Sequence, residues 1–540
     1  KLNRKYTIIK LLKLCTIILR NLIVLTLFLN WIVTCTSTSL SLSKQNNTEQ
    51  VNITSINHNG TSKNALFHWE DYSVLVTMLI VSCAIGIFYG YFGEKQTTSD
   101  DFLLGGSAMG TFPMALSLAA SYVTAIELLG NPAEMYVAGA QFWMICIAFV
   151  LVVPITSHLY LPVFMRLRLT SCYEYLEIRF CKSVRIYASS LYMIQMILYT
   201  AVAVYAPALA LSDVTGLNTY LAVTLVYVVC IFYATQGGMK AVIMTDSFQS
   251  AVLIGSMAAV LALGAAHVGG LENAWDYARQ TDRLHFFNMN PDPTVRHSFW
   301  SVVVGGTMYW TSMFCANQAS IQKYLSVERI SQARLALWVS AISLILIYSV
   351  NFVTGAVLAA YYADCDPIQV GEINASDRLL PLFVVKQLGK ARGVPGFFVA
   401  GIFAASLGTV ASGLNSLAAI ACQDLATGLL GITLPENKGA SIARWVCLGC
   451  GALSFGLVFV VERLGPVLQL ALSFNGMTGG VSLGLFTLGM LFPTDIKVPL
   501  PDIKRILLLK FFGMFTVLAV SRCSLSNVGI PSESSTYLTI

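Results

Sequence analysis

Long apolar runs constrain this 540-residue chain more than any other feature. Its residues are 56% hydrophobic and only 11% charged. A soluble protein does not need this much apolar surface, whereas each run can cross about 30 Å of hydrocarbon. Because backbone polar groups must be paired inside a bilayer, the runs predict helices and the fold class is all-α and polytopic. The predicted spans are 72–93, 112–138, 141–164, 186–211, 219–237, 242–268, 299–322, 336–362, 395–430, 442–462 and 465–492.

The N-terminal region has two parts before the first span. Residues 1–43 run from basic to apolar to small and polar, which predicts a signal peptide or a signal anchor. An extra transmembrane helix is the alternative. Residues 44–70 form a polar tail with three glycosylation sequons and are predicted to be extracellular. The sequon asparagines of the tail are Asn46, Asn52 and Asn59.

The short loops predict the orientation in the membrane. Basic residues concentrate between the third and fourth spans, after the seventh span and before the tenth span, all on one side of the bilayer. These residues are Arg166, Arg168, Arg179, Lys182, Arg185, Lys323, Arg329, Arg334, Lys438 and Arg444. The opposite side holds a fourth sequon, at Asn374. Sequons and basic loops therefore both place the N-terminus outside.

Composition also limits the classes of function. The net charge of +6 is small for this length, and no basic patch interleaved with aromatic residues suggests nucleic acid. The 13 cysteines show no spacing typical of zinc or of a disulfide framework. The sequence contains no HExxH or P-loop motif. We therefore predict that the protein is not an enzyme.

A stripe of small and hydroxyl residues lies within the ninth span, from Phe403 to Ala419. Its members share one helical face because they recur at offsets of three and four. One interpretation is close packing against another helix through small residues. The other is a hard cation bound by hydroxyl and carbonyl oxygens. The stripe consists of Ala405, Thr409, Ser412 and Ser416.

Two spans carry signs of a broken helix. The second span contains Ser117, Thr124 and Glu127 and then Gly130-Asn131-Pro132, where we expect the helix to be interrupted. A simple proline kink is the alternative. The seventh span repeats the polar theme with Asn317, Gln318 and Gln322. The second span opens one set of five helices and the seventh opens the next. Together they predict an inverted repeat of five plus five helices with an extra N-terminal helix, an architecture that binds substrate and ions at the midplane.

Four ordered motifs carry a family resemblance. They are GGMKAVIMTDSFQ from Gly237, NQASIQKYLS from Asn317, ASLGTVASGLNSLAAI from Ala405, and ALSFNGMTGGVSLGLFTLGMLFP from Ala471. Together they resemble the sodium/solute symporter family. The stretches Gly130–Tyr136 and Lys438–Pro493 are similar to its monocarboxylate, multivitamin and iodide branch, particularly the arthropod members. The resemblance covers a domain at residues 71–493, and residues 494–540 diverge from the family as an atypical C-terminal segment.

The resemblance implies sodium as the co-substrate, held between the first and eighth core helices. Backbone oxygens of Ala120, Val123 and Ala405, with the hydroxyl of Thr409, would be its ligands. The family commonly has a second hydroxyl residue where this chain has Gly408. The resemblance also implies that Asp246 and Ser412 belong to a further cation site or to the inward release path. From the residues alone, Asp246 could instead pair with Lys240 or cap a helix beginning at Thr245.

The predicted substrate site contains Thr124, Glu127, Phe142, Tyr309 and Gln469. Sugar-transporting relatives have a glutamate where this chain has Phe142, so the resemblance argues against a sugar. No arginine or lysine lies in mid-span to bind a carboxylate, so an anion would use helix N-termini, hydroxyls and sodium.

The predicted function is sodium-coupled symport of a small organic anion, either a monocarboxylate or a vitamin-like carboxylate, across the plasma membrane by alternating access. A non-transporting membrane sensor or an inactive truncated paralogue is the alternative, suggested by Gly408 and the divergent C-terminal segment. A passive channel is a third interpretation, which the paired broken helices disfavour.

Overall fold

A computed structural model describes most of the chain from Phe67 to Leu491. The described residues are 67–93, 96, 98–215, 217–292, 295–373, 375–431, 435, 438–461 and 467–491. The predicted signal segment and tail, all four sequon asparagines and the divergent segment 494–540 lie outside them.

The described residues form helices and contain no strand, as the sequence predicts. The α-helices are α1 (Trp69–Ile87), α2 (Ser99–Leu104), α3 (Thr111–Ala120), α4 (Ala125–Ala138), α5 (Ile145–Ile155), α6 (Leu161–Leu167), α7 (Glu174–Arg179), α8 (Lys182–Thr215), α9 (Thr219–Val268), α10 (Leu271–Gln280), α11 (Gly306–Cys315), α12 (Gln318–Leu325), α13 (Ile330–Tyr361), α14 (Leu379–Gln387), α15 (Val394–Ile420), α16 (Gly439–Val461) and α17 (Val467–Leu491). Short π or 3-10 turns extend several of them, at Phe88–Phe92, Gly105–Ser107, Ala140–Met144, Thr156–Tyr160, Trp300–Gly305, Ser376–Arg378, Leu388–Lys390 and Ala421–Leu429.

Among the described residues, seven helices are long and apolar enough to cross a membrane, or eight if one bent pair counts as a span. They agree with the hydropathy prediction within a few residues at most ends. The predicted spans 219–237 and 242–268 form one helix in chain order, α9, which bends sharply at Gly238. Gly238 has φ 57°, and a Cβ there would lie 2.6 Å from the carbonyl oxygen of Phe102, so only glycine suits the bend.

Two predicted spans are broken rather than continuous. Span 112–138 consists of α3 and α4, separated at residues 121–124, and span 299–322 contains α11 and α12, separated at Ala316 and Asn317. Our expectation that Gly130-Asn131-Pro132 interrupts the second span is wrong, because Pro132 lies inside α4. The helix restarts earlier since Thr124 caps it, its hydroxyl accepting a hydrogen bond from the Ile126 amide at 3.1 Å.

Helix α15 lies at the centre of the fold, and 94% of the most apolar 18-residue stretch of this span is buried. Small residues let neighbouring helices approach it closely. A Cβ at Gly401 would lie 1.9 Å from the Ser256 hydroxyl on α9, and one at Gly413 would lie 2.9 Å from the Thr200 methyl on α8. Helix α15 therefore packs closely against α8 and α9 at these two glycines. The two interpretations of the stripe itself, close packing and cation binding, stay predictions.

The predicted basic loops meet at one end of the bundle. The Arg168 guanidinium, after α6, donates a hydrogen bond to the carbonyl of Glu328, before α13. At the opposite end, the Arg283 guanidinium donates to the Tyr136 carbonyl at 3.1 Å. The sequence predicts Lys323 to be one of the basic loop residues. In the structure it is completely buried, so it does not contribute to a basic surface.

Candidate functional site

The break between α3 and α4 exposes main-chain oxygens inside the bundle. Ala120 ends α3, and residues 121–124 have turn or extended backbone before α4 begins. Val123 and Thr124 in this segment are both fully buried. Because a broken helix leaves carbonyl groups without intrahelical partners, the segment can bind a cation or a polar ligand.

The stripe of α15 faces this break through Thr409. Its hydroxyl lies 3.4 Å from the carbonyl oxygens of Ala120 and Ser121 and 3.3 Å from that of Ala405. These separations are long for hydroxyl hydrogen bonds. They match the spacing of neighbouring oxygens around a cation at ~2.4 Å. The structure thus brings together three of the predicted sodium ligands, Ala120, Ala405 and Thr409, and places Val123 in the same break.

A buried ion pair lies next to the break. Lys323 Nζ on α12 is 2.8 Å from Asp246 Oδ2 on α9, and neither side chain is exposed. The ammonium also donates to the Ser117 carbonyl at 2.8 Å and to the Ser121 hydroxyl. The Ser117 hydroxyl donates to Asp246 Oδ2 at 2.6 Å. A buried pair is tolerable only with such additional hydrogen bonds, and here they tie α9 and α12 to the end of α3.

This pairing shows that the two alternatives for Asp246, an ion pair with Lys240 and a helix cap at Thr245, are wrong. Its partner is Lys323 rather than Lys240, and it lies within α9 rather than at a helix start at Thr245. Ser412, its predicted companion, lies 3.4 Å from the Ser121 hydroxyl. Asp246 is fully buried among the described residues.

Gly408 faces Asp246 rather than the Thr409 hydroxyl. A Cβ at this glycine would lie 2.9 Å from Asp246 Oδ1 and 3.5 Å from Gln249 Oε1. Both oxygens are buried and have no hydrogen-bond partner among the described residues. A hydroxyl residue in place of Gly408 would therefore crowd Asp246. The sequence alone does not reveal this contact, because the two residues are far apart in the chain.

A polar cluster lies on the other side of the break, around Glu127. The Gln195 amide donates to Asn475 Oδ1 at 2.7 Å, and the Asn475 amide donates to the Tyr309 hydroxyl at 3.3 Å. The Thr124 amide donates to Glu127 Oε2 at 2.8 Å, at the start of α4. Of the predicted substrate residues, Thr124 thus contacts Glu127, and Tyr309 contacts Asn475.

Sequence reasoning missed three members of these sites, Gln195, Asn475 and Lys323. Each is a polar side chain within or beside an apolar span, and a polar residue in such a position indicates a functional site.

Phe142 lies in a different position from the other predicted substrate residues. Its ring lies 5.3 Å from that of His297 between centroids, with the two planes tilted by 40°, and it lines a small cavity with Asn131, Trp143 and Tyr348. Gln469 lies in α17, but its side chain is outside the described part of the structure.

Broken helices at corresponding places in two five-helix sets define the class of this protein as a membrane transporter of the inverted-repeat type. Its fold is similar to that of a Na⁺-coupled sialic acid symporter in a substrate-bound outward-open state, with a TM-score of 0.74 and 24% identity over 85% of this chain and 97% of that one.

Sequence comparisons identify the family. The model of the sodium:solute symporter family matches residues 102–494. The chain is 42% identical to sodium-coupled monocarboxylate transporter 2 of Mus musculus over 79% of this chain and 69% of that protein. It is 42% identical to sodium-coupled monocarboxylate transporter 1 of Homo sapiens over 78% of this chain and 69% of that protein. It is 41% identical to a putative sodium-dependent multivitamin transporter of Drosophila melanogaster over 78% of this chain and 70% of that protein.

The chain therefore belongs to the sodium:solute symporter family. It is a multi-pass membrane protein with sodium as its co-substrate, and it is a transporter rather than an enzyme. The predictions of family, fold class, sodium coupling and non-enzymatic function are confirmed.

Proposed function

We propose that this protein carries a small organic anion, a monocarboxylate or a vitamin-like carboxylate, together with sodium across the plasma membrane by alternating access. The relatives named as monocarboxylate and multivitamin transporters support this substrate class. The observation that carries the coupling mechanism is the approach of the Thr409 hydroxyl to the Ala120 and Ala405 carbonyls across the helix break.

In this proposal sodium binds to the carbonyls of Ala120, Val123 and Ala405 and to the Thr409 hydroxyl. Its charge joins two helices from different halves of the repeat, so ion binding favours one arrangement of α3, α4 and α15. Asp246 and Ser412 belong to a further cation position or to the release path, where sodium would compete with the Lys323 ammonium. The N-terminal tail faces outward.

Uptake into proteoliposomes containing the purified full chain tests the proposal. An inward sodium gradient should drive accumulation of a labelled organic anion, and an equal potassium gradient should not. Equilibration of the anion across the membrane without accumulation and without sodium would indicate a channel, and sodium binding without any uptake would indicate a non-transporting sensor. Either result would contradict the proposed symport.

A further inference from the structure

Two arginine side chains join α6 to α13 at the end of the bundle where the predicted basic loops meet. The Arg168 guanidinium, just after α6, donates to the Glu328 carbonyl oxygen, just before α13. The Arg334 guanidinium, near the start of α13, donates to the Ser157 carbonyl oxygen at 3.3 Å, in the turn before α6. The start of α13 therefore lies against the stretch of chain that contains Ser157 and α6, and we call this contact the arginine junction.

The arginine junction gathers four guanidinium groups. Besides Arg168 and Arg334 it includes Arg166, in the last turn of α6, and Arg329, which directly precedes α13. Arg166, Arg168 and Arg329 are exposed. Among the described residues, none of the four forms an ion pair. Within residues 157–168 and 326–334, Glu328 is the only carboxylate, so positive charge is in excess at the junction.

The surface next to the arginine junction faces lipid. Trp338 lies one helical turn after Arg334 on the same face of α13 and is 42% exposed, and Leu335 beside them is 57% exposed. On the other side of the junction, Leu159 is 44% exposed. Exposed apolar side chains of a membrane-spanning helix contact hydrocarbon, and tryptophan is typical of the headgroup level. The guanidinium groups therefore lie at the edge of the bilayer, where a lipid headgroup reaches them.

We propose that the arginine junction binds the phosphorylated headgroup of an anionic phospholipid, such as a phosphoinositide. Arg166, Arg168 and Arg329 bind the phosphate oxygens, because the planar guanidinium group matches phosphate with two parallel hydrogen bonds. The acyl chains lie against Leu335 and Trp338. Basic pockets between transmembrane helices bind such headgroups in other membrane proteins. The lipid comes from the leaflet next to the basic loops, and its site is separate from the proposed sodium and substrate sites.

Titration with fluorescent phosphatidylinositol bisphosphate tests the site, using the purified full chain in a nonionic detergent. The double variant Arg166→Gln with Arg329→Gln should bind this lipid about 25-fold more weakly, since each basic residue at a lipid surface contributes a factor of about five. Inositol trisphosphate, the water-soluble headgroup, should bind at least about tenfold more weakly than the lipid, because it has no acyl chains to contact the apolar faces.

The matched control is Arg279→Gln with Arg392→Gln, which removes two exposed arginine charges at the opposite end of the bundle and should leave lipid binding unchanged. Equal lipid affinity in the two double variants would overturn the proposal, as would failure of the unmodified protein to bind the lipid. Inositol trisphosphate that binds as tightly as the lipid would contradict a lipid site. If the first double variant does not fold, each single change should still weaken lipid binding about fivefold, and unchanged affinity in both would also overturn the proposal.

Discussion

At the scale of single residues, Thr409 is the side chain that links α15 to the broken helix. Its hydroxyl is the only side-chain oxygen in the proposed sodium ligand set, since the other ligands are carbonyls. Gly408 faces Asp246 instead, so the residue next to Thr409 supplies no second side-chain oxygen to this set.

Thr409→Ala is expected to raise the sodium concentration for half-maximal uptake by about tenfold, because losing ~1.4 kcal/mol of ligand energy changes an equilibrium tenfold. Thr409→Ser should restore it. Sodium titration of uptake, normalised to protein in the membrane, measures the change. Thr354→Ala is the control, since among the described residues that buried hydroxyl bonds to the Val350 carbonyl of its own helix, at 2.8 Å. An unchanged sodium dependence in Thr409→Ala would rule out the assigned site.

The Asp246–Lys323 pair makes a second residue-scale prediction. Asp246→Asn leaves a buried ammonium without its counter-charge, which should lower the free energy of unfolding by about 3 kcal/mol or more. Adding Lys323→Met should recover most of this loss. Thermal unfolding of the single and double variants measures the coupling. If the release-path proposal is correct, the stable double variant should still show altered sodium release.

The exposed pair of Lys386 and Glu372 is the control for this cycle, because both side chains are more than a third exposed. Glu372→Gln should change stability little, as exposed ion pairs contribute little. Additive effects of the Asp246 and Lys323 changes would show that the buried pair is not energetically coupled.

At the scale of elements, the segment after α10 is held against α4, the second half of the broken helix. Arg296 makes two contacts with the Glu134 carboxylate on α4, at 2.6 and 2.5 Å, and His297 contacts the same carboxylate. Leu284 and Phe286 pack on an apolar cluster that includes Met135. The segment thus covers the cavity lined by Asn131 and Phe142.

Glu134→Gln should loosen this cover. Amide hydrogen exchange in residues 281–292 and 295–299 should become faster, while exchange in the core of α15 should stay the same, because only the local anchor is lost. Glu272→Gln on the neighbouring α10 should leave exchange in the segment unchanged. Equal protection in both variants would show that apolar packing alone holds the segment.

The comparison of sequence and structure is clearest at this scale. Hydropathy located the spans because each must bury a long apolar surface, a property of local composition. The Gly130-Asn131-Pro132 motif predicts the break in the wrong place, because Pro132 is accommodated within α4. The helix restarts earlier, where Thr124 caps its first turn. The contact between Asp246 and Lys323, 77 residues apart, depends on how helices pack and leaves no local pattern.

At the scale of the whole molecule, the chain directions are consistent with the predicted topology. The start of α1 lies against the start of α15, where the Gly396 amide donates to Asp71 Oδ1 at 2.9 Å. Arg392, just before α15, also pairs with Glu70 at 3.4 Å. The first described span therefore enters the bundle at the end opposite the loops that hold Arg168 and Glu328.

Glycosylation tests which end is outside. Enzymatic deglycosylation should increase the electrophoretic mobility of the protein, and replacing Asn46, Asn52 and Asn59 with glutamine should remove most of that shift. A residual shift that disappears with Asn374→Gln would place the fourth sequon on the same side. Absence of any shift in the unmodified protein would contradict the extracellular N-terminus.

The pairing of Asp246 with Lys323 also bears on the response to membrane potential. As a unit the pair carries no net charge, so its displacement through the electric field does no work, whereas one unpaired charge would contribute about 2.3 kcal/mol per 100 mV. The empty carrier can therefore reorient without a voltage penalty from this position. Voltage sensitivity would then arise from the bound sodium and the bound organic anion, and steady currents recorded without sodium should be small.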